Sequence, residues 1–252
     1  MPCGWHLAPA LAMFERPHHQ RIARVLQALN GPLLHARACW FSGGTAVALM
    51  HGEYRESVDM DFMVSELAHY RSLRQLLTGP EGVGAILRSD AAPLVQAREV
   101  RADQYGIRTA LLVEGKPIKF EIVLEGRIRF EVPGAGDQIC GIGTLTLLDR
   151  ATSKLLANSD RWGDDGVFNR DLIDLAMMTA PLPLLRQAVA KAEGAYGKSV
   201  VSDLAKAIQR VKTRHDWLER CMQVMNVNVP KALLWKNIQA VERVLRQRPE
   251  KV

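Results

Sequence analysis

Residues 42–62 read SGGTAVALMHGEYRESVDMDF, and the parsing of this stretch decides the fold. Two glycines stand at the mouth of an apolar segment, and two aspartates follow one residue apart in the next. Packing alone asks for neither. GTAVALMHG reads as a helix ending at Gly52, and SVDMDFMV alternates as a half-buried strand does. Strand residues i and i+2 share a face about 6.5 to 7 Å apart. Asp59 and Asp61 are therefore expected to point the same way, with Val58, Met60 and Phe62 turned to the core. Two carboxylates on one face repel each other, and a divalent cation held together with substrate phosphates relieves that repulsion. Gly43 and Gly44 open the helix, where bare backbone N–H groups favour a phosphate, and Ser42 adds a hydroxyl. Asp-x-Asp alone also suits an ordinary exposed strand, and Gly-Gly alone an ordinary turn. A phosphate cradle one strand away from a cation site points to a single ligand, a nucleoside triphosphate with magnesium.

Working outward, ACWF reads as a short buried strand, and residues 19–29 place Ile22, Val25, Leu26 and Leu29 on one helical face before Asn30-Gly31-Pro32 stops the helix. Residues 66–77 are predicted helical. From 94 to 131 the pattern is β: LVQAREVRADQ, IRTALLV, a turn at Glu114-Gly115-Lys116-Pro117, IKFEIVLEG and RIRFEV. Beyond the Gly-rich stretch 134–143, helices are predicted at 145–159, 169–179, 182–196, 199–224 with a break, and 230–247. This order predicts an α+β fold. A catalytic lobe over 1–143 carries a mixed sheet flanked by helices, and a helical lobe spans 144–252.

A chain of 252 residues accommodates two such lobes. No run approaches the roughly 18 to 20 apolar residues of a membrane span, and the N-terminus lacks a basic stretch ahead of its short apolar patch. A soluble, cytoplasmic protein with no membrane partner is expected. Cys3, Cys39, Cys140 and Cys221 form no C-x-x-C pair and read as reduced thiols. The net charge is +6, and residues 182–252 hold 14 Lys and Arg against 6 Asp and Glu, so this part carries the whole basic excess. Such asymmetry suits a polyanionic partner or a solvated helical face. YGKS at 196–199 lacks the first glycine of a Walker loop, because Ala192 stands there. GAGDQICGIG has Ile139 where a dinucleotide fingerprint needs its third glycine.

The arrangement GG…DMDF with a further acid on a later strand resembles the DNA polymerase beta-like nucleotidyltransferase superfamily. The wording SGGTAVALMHGEYRESVDMDFMV is similar to its AbiEii/AbiGii toxin branch, the nucleotidyltransferase toxins of type IV toxin-antitoxin and abortive-infection systems. Arg55, Ser57, Asp59, Asp61 and Phe62 match that branch in order. DRATSKLLANSDRW and NRDLIDLAMM match its later Lys and Arg-Asp-x-x-Asp-Leu motifs through Lys154, Arg170, Asp171 and Asp174. The likeness covers about residues 38–178. The 14 residues between Gly44 and Asp59 are on the long side for the branch and predict a longer loop over Gly52 to Glu56.

The resemblance implies a third carboxylate on a strand beside the aspartate pair. In IKFEIV this is Glu121, as metal ligand or general base, with Glu125 as the fallback. It also implies that Arg55 and Ser57 help bind the nucleotide and that Lys154 contacts its phosphates with Asp171 nearby. Lys154 lies among leucines, where a bare ammonium is costly without a partner, and a triphosphate is one such partner. A lysine reaching outward from the helix flank and a helix-start aspartate are the ordinary alternatives. The activity implied is NTP-dependent nucleotidyl transfer, with Asp59, Asp61 and Glu121 holding Mg²⁺, or Mn²⁺ in its place. The implied acceptor is RNA, such as a tRNA 3′ end, and the implied partner is an antitoxin. Transfer to a small-molecule or protein hydroxyl and a catalytically silent binding protein are the competing expectations.

Overall fold

Ser42 is where a strand hands over directly to a helix. In the structure, a computed structural model that describes residues 13–246, strand β1 (Trp40–Ser42) ends at the residue immediately before helix α3 (Gly43–Met50). Gly43 makes the sharp junction with φ of 71°, a conformation that a side chain disfavours. Two helices precede it. Pro17 at the first position starts α1 (Pro17–Ala28), which buries Ile22, Val25 and Leu26. Asn30 caps α2 (Gly31–His35) by accepting from the Leu33 N–H. After α3, a loop leads to β2 (Met60–Val64), whose alternation buries Met60, Phe62 and Val64. Asp59 lies just before this strand, and Val58 is exposed rather than turned to the core.

Helix α4 (Leu67–Leu77) leads through a short 3₁₀ turn to β3 (Val95–Ala102), β4 (Gly106–Val113) and β5 (Lys116–Leu124). The β4–β5 turn at Glu114-Gly115 has both φ angles positive, 50° and 73°, which matches the twist of a two-residue hairpin. The sheet order is β1-β2-β5-β4-β3. The β2–β5 pair is parallel and the others are antiparallel, so the sheet is mixed.

The stretch RIRFEV is not a strand. Sheet order explains this, because β5 is already paired on both sides and the outer edge of β2 is taken by β1. The segment finds side-chain partners instead: Phe130 N–H donates to Ser65 Oγ (3.3 Å) and Glu131 N–H to Asp149 Oδ2 (2.7 Å). The Gly-rich stretch forms a small hairpin, β6 (Gln138–Ile139) with β7 (Ile142–Gly143).

Six helices follow: α5 (Leu147–Arg161), capped by Thr146, α6 (Arg170–Met177), α7 (Leu182–Tyr196), α8 (Ser199–Thr213), α9 (Trp217–Val224) and α10 (Lys231–Glu242). The break between α8 and α9 centres on Asp216, which is left-handed with φ of 52°. Among the described residues no helix is long and apolar enough to cross a membrane. Cys39, Cys140 and Cys221 are free thiols, and Cys3 lies outside the described residues.

Two hydrophobic clusters form, and α3 belongs to both. Ala46 and Leu49 join the cluster under the sheet with Phe41, Phe62 and Phe120, whereas Val47 and Ala48 join the cluster of the six helices. The helix opened by Gly43 and Gly44 is thus clamped between the cores, which fixes its N-terminus relative to both the sheet and α5.

Candidate active site

A cavity of about 360 Å³ lies between the sheet and α5, and the α3 N-terminus forms part of its wall. From the sheet side come Asp59, Asp61, Lys119 and Glu121, with Asp61 directly opposite Glu121 in the β2–β5 ladder. From α5 come Arg150, Lys154, Ala157 and Arg161, spaced four, three and four apart so that one helical face presents them. Arg55, Ser57 and Arg170, with Ser153 and Asp160 of α5, complete the polar wall. Six Lys and Arg face four Asp and Glu around the cavity, a positive surplus that suits a polyphosphate.

The glycines are required here. A Cβ on Gly43 would lie 2.5 Å from Asp61 Oδ2, and one on Gly44 would collide with the Arg55 guanidinium. The aspartate segment is tied to α3 by short bonds. Thr45 Oγ1 lies 2.8 Å from Ser57 Oγ and 2.5 Å from the Asp59 carbonyl, to which it donates. The Ser42 hydroxyl is fully buried and donates to the Asp61 carbonyl (3.1 Å). It therefore braces β2 and is not part of the cavity wall. Behind Ser57, the buried His19 accepts from the Ser57 N–H through Nε2 (3.2 Å) and so donates through Nδ1 to Glu53 (2.7 Å). Burial holds the His19 ring below its ordinary pKa, against the pull of Glu53.

Charge in the wall is organised by two buried carboxylates of α6. Asp174 receives the Nε and Nη2 of Arg55 (2.7 and 2.9 Å), the Tyr54 hydroxyl (2.5 Å) and Lys154 Nζ (2.7 Å). Asp171 receives Lys154 Nζ (3.0 Å) and both Nε and Nη2 of Arg161 (2.7 and 2.9 Å). Burial by itself would raise both pKa values, but Arg55 and Lys154 at Asp174, and Lys154 and Arg161 at Asp171, hold them below the usual carboxylate range. Lys154 therefore has protein partners and does not depend on a ligand for compensation. Asp171 does not line the cavity and stands behind the wall, where it holds Lys154 and Arg161.

On the sheet side the balance is reversed. Burial raises the Asp61 pKa, the charges of Asp59 and Glu121 add to the rise, and Lys119 and Lys154 offset it only in part. Glu121 is held by Arg108 Nε (2.6 Å) and Lys119 Nζ (2.5 Å). Among the described residues no three His, Cys, Asp or Glu side chains are gathered into a ready-made metal cage. Glu125 pairs with Arg127 (3.0 Å) outside the cavity.

The sequence reading gave Asp174 no role and overlooked Arg150, Arg161 and Lys119. The helical spacing of Arg150, Lys154 and Arg161, and the three-residue interval between Asp171 and Asp174 in α6, are the signals that could have found most of them.

The family model described as nucleotidyl transferase AbiEii toxin, type IV TA system, matches residues 24–240, and the chain belongs to that family of nucleotidyltransferases. No curated protein matches the chain. A solved structure of a "putative nucleotidyltransferase from H. pylori" is 16% identical over 90% of this chain and 94% of its own, with a TM-score of 0.49. JHP933 from Helicobacter pylori is 17% identical over 90% of this chain and 91% of its own, with a TM-score of 0.43.

Replacing Asp174 by Asn removes the charge shared by two buried cations, and the expected cost is about 3 to 5 kcal/mol, read as a lower urea midpoint. Because the folded-state pKa lies below the unfolded value of about 3.9, the wild-type contribution is complete above that value and is lost as pH falls beneath it. The stability difference between wild type and Asp174→Asn should therefore be full at pH 7 and shrink in acid. A difference that does not change with pH would remove Asp174 as the charged hub.

Proposed function

We propose that the chain transfers a nucleoside monophosphate from an NTP to the terminal hydroxyl of an RNA acceptor, such as a tRNA 3′ end, as the toxin of a type IV system with a cognate antitoxin. The observation that carries this reading is the two-sided cavity, with carboxylates on the sheet, cations on the helices and a glycine-opened helix N-terminus between them. Membership of the AbiEii family supports the toxin role and the existence of an antitoxin.

The triphosphate lies against Gly43, Gly44 and Lys154, with Arg55 and Ser57 beside it. Residues 144–252 close the site from the helical side, a division of labour that follows the proposed lobe boundary. The donor set fits a hard cation. Asp59 and Asp61 are two oxygen donors beside a phosphate cradle, and Mg²⁺ is commonly held by one or two carboxylates together with substrate phosphates, without a full protein cage. Glu121, across the ladder from Asp61, is the third member of the set. Bound there, Mg²⁺ or Mn²⁺ would supply charge neutralisation for the reacting phosphate and the acceptor oxygen.

The acceptor oxygen attacks the α-phosphorus in line, the bond to the bridging oxygen breaks, and pyrophosphate leaves. Glu121 is placed to orient the hydroxyl and to take its proton, while Lys119 and Arg108 keep that carboxylate in position. Lys154 and Arg55 stabilise charge on the departing phosphates, and Asp171 and Asp174 hold these two cations in place.

Incubation with NTPs labelled at the α or the γ phosphate and total tRNA tests the reading. Label from the α position should enter RNA and γ label should leave as pyrophosphate. γ label retained on the acceptor would make the enzyme a phosphoryl transferase, and transfer only to small hydroxyl compounds or protein would remove the RNA assignment. Asp59→Asn and Asp61→Asn should abolish transfer while thermal melting stays unchanged or rises, because a like-charge pair is relieved. Full activity in either variant would remove the carboxylate assignment.

Lys154→Ala should weaken NTP binding about ten- to a hundredfold, the worth of one charge-assisted contact of about 1.5 to 3 kcal/mol. Lys154→Arg should recover part of the loss, since a fork replaces a point charge. Unchanged nucleotide affinity in both variants, measured by calorimetry, would leave the lysine with a purely structural role.

A further inference from the structure

The face of the sheet that carries Asp61 and Glu121 continues beyond the cavity. Asp61 stands opposite Glu121, Glu121 opposite Arg108, and Arg108 opposite Arg101, so one charged row crosses β2, β5, β4 and β3. In the adjacent row Lys119 stands opposite Ala110, and Ala110 opposite Arg98. Strict alternation would send Arg98 and Arg101, three residues apart, to opposite faces. The register shift between them in β3 brings both onto this one. With neighbouring strands about 4.8 Å apart, the row runs about 14 Å from Asp61 to Arg101.

A shallow groove of about 790 Å³ lies along this face, lined by Arg98, Arg101, Arg108 and Lys119 against Glu99 and Asp103. Lys119 lines both the groove and the nucleotide cavity, so the two adjoin at this side chain. Arg108 is anchored by Asp103 (2.9 Å) and Glu121 (2.6 Å), whereas Arg98 and Arg101 are exposed and make no ion pair among the described residues. At the end of the same face Val95 and Leu112, opposite each other, are 59% and 38% exposed and give a base an apolar surface to cover.

In the C-terminal lobe, to which the sequence assigned the basic excess, the four cations of α8 and its end are all paired, while Arg186, Lys198, Arg220, Lys236, Arg243 and Arg246 make no ion pair among the described residues but line neither the cavity nor the groove beside it. Lys206 pairs with Asp203 (3.0 Å), Lys212 with Glu242 (2.5 Å), and Arg210 and Arg214 both with Asp165.

We propose that the single-stranded end of the RNA acceptor lies along the β3–β4–β5 face, with its phosphates on Arg98, Arg101 and Arg108, and that it enters the cavity past Lys119. Charge complementarity and the position of the groove beside the cavity, with Lys119 common to both, select this occupant. The assignment rests on the nucleotidyl-transfer reading above and locates its acceptor.

The test compares wild type, the double variant Arg98→Gln/Arg101→Gln and the control Lys206→Gln/Lys212→Gln. Each is assayed for NTP affinity by calorimetry and for the KM of total tRNA at several salt concentrations. Losing two phosphate contacts should flatten the slope of log affinity against log salt by about 1.4, at about 0.7 per contact for a single strand. Between about 50 and 200 mM salt the gap between wild type and the double variant should then narrow about sevenfold. NTP affinity should be unchanged in the double variant, and the control should behave as wild type.

An unaltered KM and slope in the double variant, with wild type still labelling RNA, would overturn the assignment and leave the face to a protein partner such as the antitoxin. A matching loss of NTP affinity would overturn it too, since the arginines would then be serving the nucleotide site. A wild type that labels no RNA would instead overturn the acceptor reading on which the assignment rests.

Discussion

The carboxylate of Asp174 is the constraint on which the site depends. It is wholly buried, and it joins the loop after α3, through Tyr54 and Arg55, to α5, through Lys154. An ion pair taken out of water gains little net stability, because desolvation offsets most of the attraction. What this one provides is position. Arg55 and Lys154 cannot leave Asp174 without stranding charge in the interior, so both are held at the cavity wall, and Asp171 does the same for Arg161. The N-terminus of α3, gripped by both hydrophobic cores, is fixed by the same architecture.

The two walls of the cavity consequently carry opposite potentials. The helical wall is cationic and preorganised, and the sheet wall gathers Asp59, Asp61 and Glu121 with only partial compensation from Lys119. A triphosphate–metal complex has the complementary arrangement, with phosphate oxygens for the helical side and a cation for the carboxylates. Because the donors are in place before the ligand arrives, little reorganisation is needed during the reaction. The same sheet carries its register outward to Arg108 and Arg101, so strand pairing links the cavity to the charged face on which the acceptor is proposed to lie.

Much of this was legible in the sequence because local pattern and global fold agree. Gly43-Gly44, the Asp59-x-Asp61 alternation and the 3.6-residue spacing of α5 each carry their own signal. What the sequence hid is a matter of partners. RIRFEV alternates like a strand, yet β5, which it follows, is already paired on both sides, and the outer side of β2 is taken by β1. The Ser42 hydroxyl was expected in the phosphate site, but strand β1 places it against the backbone of Asp61. The resemblance put Asp171 near Lys154, but that Asp174 is a second partner of the same ammonium follows only from the packing of α6 against α5. The basic surplus of residues 182–252 is visible as composition, and the pairing of Arg210, Arg214 and Lys212 with Asp165 and Glu242 is visible only in space. Conversely, Arg98 and Arg101 fall on one face through a register shift that strand periodicity does not reveal.

The central claim is that one ligand, an NTP with its divalent cation, bridges the two walls. The most direct measurement is the anomalous diffraction of a crystal soaked with Mn²⁺ and an NTP analogue that cannot be cleaved between the α and β phosphates. The account predicts a Mn²⁺ peak coordinated by Asp59 and Asp61, with the triphosphate against Gly43, Gly44 and Lys154. A cation bound away from these aspartates, or a nucleotide whose phosphates contact neither the α3 N-terminus nor Lys154, would contradict it.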